Sequence, residues 1–432
     1  MIGSDRRWRN CQGFYKLSAL MLLPWIVHVI SQHSQGIMFS TYRIGTVTGE
    51  EHNMRLPNRG VPDARAASNT RDQTNMDPLR FWDVRSLSEI ERRAAADACD
   101  EVVLGLFQRL GYQWPVPSEQ QKTDNALVFS KIEEWADREL KSCDLDAKTV
   151  KRLVDFGVAC GCMFYPHGSV EIKFLMSQMT VLATALDDKP NHHDIVHHTE
   201  RYLSHDYGEN DAATPAKTLL RLYAEGVNEM AAYFEADDGL TASLIRASLE
   251  TYLLGWLLEA RVHGMRVASD NDGPQASPTF ADWVRGKSGI GDAYVLAIFK
   301  PNKETKIGMD RWLSCVTDLQ CYTGYFNDVM SLRKEILEGD AGNYMNIKTR
   351  IRHLSGEQGT TRADKKFCIR DMLNETVAEV EQAAKRIDAL IKHAIPEKLH
   401  LWHGYRHGYI LWHLSMPRYQ LENVARDLRG VE

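Results

Sequence analysis

The chain has 432 residues, of which 44% are hydrophobic and 25% charged, with a formal net charge of -6. Such a composition suits a globular protein of one large or two ordinary domains, with a core that needs no disulfide staples. The acidic balance argues against general nucleic-acid binding, so a basic residue that matters must act locally on a particular anion. The N-terminus carries "RRWRN" and then an apolar run from Leu17 to Ile30, interrupted by Pro24. The run is short for a membrane span and has the build of a signal peptide or weak anchor, although no small-x-small cleavage site follows. From about residue 40 to 78 the chain is polar and aperiodic, as a linker would be. Residues 1–78 are therefore expected to form an N-terminal extension, either a short apolar anchor or disordered, and residues 79–432 the functional domain.

From Pro78 onward helical periodicity dominates. "LSEIERRAAADACDEVVLGLFQRLG" repeats apolar residues at three and four and is stopped by Gly111. "NALVFSKIEEWADREL" follows the same rule, and "DAKTVKRLVDFGVACGCMFY" opens on a capping Asp146 and ends before Pro166. "VEIKFLMSQMTVLATALDD" is apolar nearly all round, which predicts a central, buried helix. Two further helical stretches lead to "TFADWVRGKSGIGDAYVLAIF", "DRWLSCVTDLQCYTGYFNDVMSLRKEILEG" and two long C-terminal segments. No run of alternating strands and no internal repeat appears. The expected architecture is all-α, with ten or so helices in one domain of about 350 residues. Cys11, Cys99, Cys143, Cys160, Cys162, Cys315, Cys321 and Cys368 form no repeated CxxC pair and read as reduced thiols of an intracellular protein.

Two acidic clusters carry candidate chemistry. In "NDVMSLRKE", Asn327, Ser331 and Glu335 recur every fourth residue and fall within ~80° on a helix turning ~100° per residue. An amide oxygen, a hydroxyl and a carboxylate suit Mg²⁺ rather than Zn²⁺, though the same residues are common on a solvated helix face. Arg333 and Lys334 adjoin them and are placed to reach an anion beside such a metal. In "ALDDKPNHHD", Asp187 and Asp188 end the long apolar helix, at the negative end of its dipole, where a divalent cation would offset the unfavourable charge. A water-facing polar helix end is the alternative. Arg285 sits among Gly286, Gly289 and Gly291, and each glycine costs a helix about 1 kcal/mol relative to Ala. A kink or break near a ligand would account for that cost. Arg418 and Tyr419 in "MPRYQLEN" form a candidate anion clamp.

Other clusters are weaker. His193 and His197 in "HHDIVHH" have metal-ligand spacing, but the Glu of an HExxH site is missing and a polar loop and helix start explains them. Asp237 and Asp238 have the flanks of a turn. No DxDD protonation motif occurs in the chain.

Taken together these motifs resemble class I terpene synthases, with fungal trichodiene-synthase-like sesquiterpene cyclases the nearest flavour. "NDVMSLRKE" matches ND-x-x-S-x-x-x-E at every defined position, "LDDKPNHHD" resembles the aspartate-rich motif, and "RYQLEN" resembles the C-terminal Arg-Tyr pair. Arg285 fits the family's diphosphate-sensing arginine in spacing. One departure is plain: the acidic fifth position of DDxxD is Asn191 here, which leaves the roles of Asp188, Asn191 and Asp194 open.

The resemblance, which covers roughly residues 80–432, implies a single-domain helical bundle around a deep central cavity. It implies farnesyl diphosphate as substrate, ionised with three Mg²⁺ (or Mn²⁺) ions to an allylic cation that cyclises. Asp187 would hold two metals, and Asn327, Ser331 and Glu335 the third. Arg285, Lys334, Arg418 and Tyr419 would bind the diphosphate. Phe164, Trp256, Tyr294, Trp312, Tyr322 and Tyr325 are candidates for cation-stabilising cavity walls, each with plain core packing as its alternative. The rival readings are a chain-elongating prenyl diphosphate synthase and a noncatalytic prenyl-diphosphate-binding protein. The expected setting is cytoplasmic, or endoplasmic-reticulum associated through weak membrane contact at residues 14–31. No nucleic-acid partner is expected, and a homodimer is one assembly the sequence leaves open.

Overall fold

Ser88, Ser118 and Asp146 start the first three helices. The two serines make capping boxes with Glu91 and Gln121, and the Asp146 carboxylate accepts from Thr149 N at 2.8 Å. The computed structural model describes residues 77–187, 192–204, 214–235, 239–262, 268–269, 273–274, 276–287, 291–359 and 366–429. The expected extension, including the apolar run at 17–30, lies outside them except for its last two residues. From Pro78 the chain forms one unit, tied at its start by Ile369 N to Phe81 O and Arg370 N to Leu79 O at 2.8 and 3.1 Å.

The capped helices are α1 (Glu89–Arg109), α2 (Glu119–Glu139) and α3 (Ala147–Phe164). There follow α4 (Val170–Asp187), α5 (His192–Leu203), α6 (Pro215–Glu235) and α7 (Gly239–Val262). The next elements are α8 (Phe280–Arg285), α9 (Gly291–Ile298), α10 (Val316–Glu338) and α11 (Tyr344–Leu354). The last three are α12 (Ile369–Ala394), α13 (Leu399–Ser415) and α14 (Glu422–Arg429). The fold is all-α. Its strands among the described residues are one antiparallel pair, Ala268–Ser269 with Gly273–Pro274, plus an isolated bridge between Gln358 and Lys366. Among those residues no helix is long and apolar enough to cross a membrane.

The helices close a ring. α3 packs on α4, α4 on α6, α6 on α7, α7 on α9 and α9 on α10. α13 completes the circuit, since it packs on α3 and its Tyr409 hydroxyl donates to Thr323 O of α10 at 2.9 Å. α4 is buried on nearly every face, as its sequence predicts. Two glycines set the spacing beside α3. A Cβ on Gly161 would lie 2.4 Å from Lys173 O, and one on Gly408 1.6 Å from Met163 O. Any larger residue there would push α4 or α13 outward. α1 and α12 cover the outer side of α10.

Three expected helices are interrupted; two of the breaks yield an extra α-helix each, and α5 and α11 add two more, so the described residues hold fourteen rather than ten or so. The glycine-rich stretch after Arg285 separates α8 from α9 rather than kinking one helix. Two 3₁₀ turns, Met309–Arg311 and Leu313–Cys315, precede α10. Met416 is extended ahead of Pro417, as a residue before proline tends to be, and Gln420 adopts a left-handed φ of 56°. A 3₁₀ turn, Pro417–Tyr419, therefore parts α13 from α14. The described cysteines are free thiols.

Candidate active site

α10 is anchored by Leu319, Tyr322, Phe326, Val329, Met330, Leu332 and Ile336, all buried. That anchorage turns Asn327, Ser331 and Glu335 together toward the α13 side. Asn327 Nδ2 lies 3.1 Å from His413 Nε2 and 3.1 Å from the Tyr419 hydroxyl. Two motifs far apart in sequence thus share a hydrogen bond. Ser331 Oγ donates to Asp328 O at 3.4 Å, and the Glu335 carboxyl is pushed up to about 8 by burial and by Asp328 and Asp340, against the opposing effects of Ser331 and Lys334. Burial likewise raises Tyr419, with Arg418 and Asn327 acting the other way.

Arg285 reaches the same helix. Its Nε donates to Asp328 Oδ2 at 2.9 Å and its Nη2 to Gly324 O at 2.8 Å. Burial opposes the guanidinium's charge, but Asp328 more than restores it and holds the group firmly protonated. Asp328 itself is raised by burial and only partly relieved by Arg285. Beside this pair, Lys348 Nζ and the Tyr344 hydroxyl converge on Asp282 Oδ1 at 2.7 and 2.8 Å.

The remaining predicted residues divide. Arg418 is exposed, with its guanidinium 5.5 Å over the Phe156 ring and 5.7 Å over the Tyr419 ring. Lys334 is partly exposed and 3.7 Å from Glu338. Arg333 points to α1 and to the turn that bears Tyr419. Its Nε donates to Gln420 O at 2.8 Å, and its Nη1 pairs with Asp97 and Asp100 of α1 at 3.2 and 3.0 Å. Asp187 is the last residue of α4, with an exposed side chain. Asp188 and Asn191 lie outside the described residues, as do Gly289, Asp237, Asp238 and the side chains of His192 and His193.

No family model matches the chain. It is 27% identical over 320 residues to terpene synthase BipA of Cochliobolus sativus, covering 73% of this chain and 87% of that one. It is 24% identical over 324 residues to the longiborneol synthase of Gibberella zeae, covering 74% and 87%. Among solved structures, a cucumene synthase variant aligns with a TM-score of 0.47 at 14% identity, covering 71% of this chain and 99% of that one. The chain is thus similar to fungal terpene synthases.

In this chain Phe164 is met edge-on by Tyr294, Tyr405, Tyr409 and Trp412, with centroids 4.8–5.7 Å away. Phe164 and Tyr294 were legible as candidates. Trp312 instead packs on Phe299, Tyr325 stacks on Tyr344, and Tyr322 lies between Phe326 and Trp402. Sequence reasoning missed Asp328 and His413. Asp328 stood in plain view beside Asn327, but the signal that it receives Arg285 is tertiary. His413 follows Trp412 in an aromatic helix and reads locally as core.

Among the described residues no group of three His, Cys, Asp or Glu side chains could hold a metal. The donor set on α10 is of another kind: an amide oxygen, a hydroxyl and a carboxyl, oxygen throughout. Glu335 is costly to ionise where it stands, and a hard divalent cation would relieve that cost. The residues therefore fit Mg²⁺.

Proposed function

We propose that residues 79–432 form a Mg²⁺-dependent sesquiterpene synthase that ionises farnesyl diphosphate and cyclises the resulting allylic cation. The hydrogen bond joining Asn327 of α10 to Tyr419 of the Pro417–Tyr419 turn carries this reading. It puts a candidate metal ligand next to a candidate diphosphate donor. Asn327, Ser331 and Glu335 would hold one ion. Asp187 would hold two more from the end of α4, completing a set of three.

Ionisation breaks the bond between the terminal allylic carbon and the diphosphate oxygen, and the electron pair leaves with the diphosphate. Bound Mg²⁺ supplies positive charge that stabilises this leaving group. Arg285, Lys334, Arg418 and Tyr419 donate to its oxygens, which matters most as charge develops. Asp328 holds the Arg285 fork by its Nε and so orients the rest of the guanidinium. The rings around Phe164 supply apolar, water-excluding surface and π-faces of the kind a carbocation requires.

The test is incubation with farnesyl diphosphate and Mg²⁺, followed by gas chromatography and mass detection. Cyclic hydrocarbons or alcohols are expected. Longer prenyl diphosphates, formed when isopentenyl diphosphate is added, would replace this reading with chain elongation. Unreacted farnesyl, geranyl and geranylgeranyl diphosphates would end it.

A further inference from the structure

His413 is wholly buried at the middle of the site, yet the proposed chemistry gives it no task. Its Nδ1 lies 2.8 Å from the backbone oxygen of Tyr409, one turn earlier on α13. A carbonyl oxygen only accepts, so the ring proton sits on Nδ1. The neutral ring then offers a lone pair at Nε2, the atom 3.1 Å from Asn327. What faces that lone pair must be a donor, which can only be the carboxamide NH₂. Its second hydrogen points to the Tyr419 hydroxyl oxygen at 3.1 Å. Both amide hydrogens are thereby committed, and among the described residues no hydrogen bond reaches Asn327 Oδ1.

We propose that His413 is a positioning residue that fixes the Asn327 carboxamide with its oxygen, not its nitrogen, turned to the metal position. The inference rests on the metal role proposed above for Asn327. A carboxamide is nearly symmetric in shape, and its two orientations differ chiefly in hydrogen bonding. The oxygen ligates Mg²⁺, whereas the NH₂ has no lone pair to give. The orientation of this one amide therefore decides whether the α10 donor set is complete. The ring that sets it is itself locked. Phe326, Tyr409 and Trp412 pack edge-on against it with centroids at 5.3, 4.6 and 4.8 Å. The same chain of bonds has a second effect. Because Tyr419 accepts from Asn327, its own O–H hydrogen is left to donate elsewhere, and a diphosphate oxygen is the acceptor that the proposed chemistry places there.

Two measurements test this. The first is the ¹⁵N imidazole spectrum of the metal-free protein, with the His413 signal assigned by its loss in His413→Gln. A neutral ring protonated at Nδ1 is expected, and a ring protonated at Nε2 overturns the proposal. The second is calorimetric titration of Mg²⁺ in the presence of inorganic pyrophosphate. His413→Phe keeps a flat ring but offers no acceptor, and should weaken Mg²⁺ binding by about 10-fold or more, the usual cost of losing a partner of a metal ligand. His413→Gln can place a carbonyl oxygen near the Nε2 position and should stay within about 3-fold of wild type, since the acceptor is restored. Equal binding by wild type and the Phe variant overturns the positioning role. Equal loss in Phe and Gln variants also overturns it, because packing alone would then explain the effect. Wild-type protein that binds no Mg²⁺ with pyrophosphate removes the metal role of Asn327 first, and this proposal with it. The spectrum separates that outcome from a wrong tautomer and needs no variant to fold.

Discussion

α4 and α10 are both long and deeply embedded, and each brings acidic candidates to the ring, yet they handle charge in opposite ways. α4 keeps its interior nearly free of acids and delivers Asp187 at its last turn, where the side chain is exposed. α10 carries Asp328 and Glu335 within its span and surrounds them with Arg285, Ser331, Lys334 and Tyr419. An exposed carboxylate is solvated by water, and a partner adds little. A buried one must be paired, protonated or metal-bound. α10 therefore pairs its carboxyls within the fold, while the carboxylate at the α4 end keeps contact with solvent.

The strongest way to break this contrast is Arg285→Met. It strands Asp328 in the interior and should cost about 3–5 kcal/mol by chemical denaturation, as removal of one partner of a buried pair does. A cost under about 1 kcal/mol, the range of exposed pairs, would mean that Asp328 is effectively solvated. Asn327→Ala and Asp187→Ala come next. Each should lower turnover of farnesyl diphosphate by about 10²–10³-fold, the scale of losing one group that stabilises developing charge. Circular dichroism should remain that of wild type, and a fully active variant at either position would remove that residue from the metal set.

Glu335 sharpens the contrast through pH. Its carboxyl stands at about 8 in the folded protein against an ordinary 4.5. Between those values the folded state holds a proton that the unfolded chain releases. The contribution is thus fully present below about 4.5 and declines as pH rises toward about 8. Metal-free wild type should lose stability across that window, and Glu335→Gln should lose less. Parallel curves would show that Glu335 is not desolvated. The smallest expected effect belongs to the other helix. Asp187→Asn should shift stability by no more than about 0.5 kcal/mol, as exposed substitutions do.

This difference between the helices also governs what the sequence made legible. The buried course of α4, the Asp146 cap and the spacing of Asn327, Ser331 and Glu335 are local, and a period or a cap reports them. The Arg285–Asp328 pair and the His413–Asn327 bond join different helices, and no local period encodes them. The glycines after Arg285 read as either a kink or a break, because glycine counts alone do not distinguish bending from termination. Arg333 is likewise set by tertiary contacts: it lies two residues before Glu335, about 200° away on a helix, and it pairs with Asp97 and Asp100 of α1.

The orientation of Arg333 has a mechanical consequence. The turn that bears Arg418 and Tyr419 is fastened to α10 at two points: Asn327 holds Tyr419, and two turns further along Arg333 holds Gln420 O. Asp97 and Asp100 pair with Arg333 from behind. Two fasteners remove the swivel that one would leave. The proposed diphosphate clamp thus has a fixed jaw on this side of the ring.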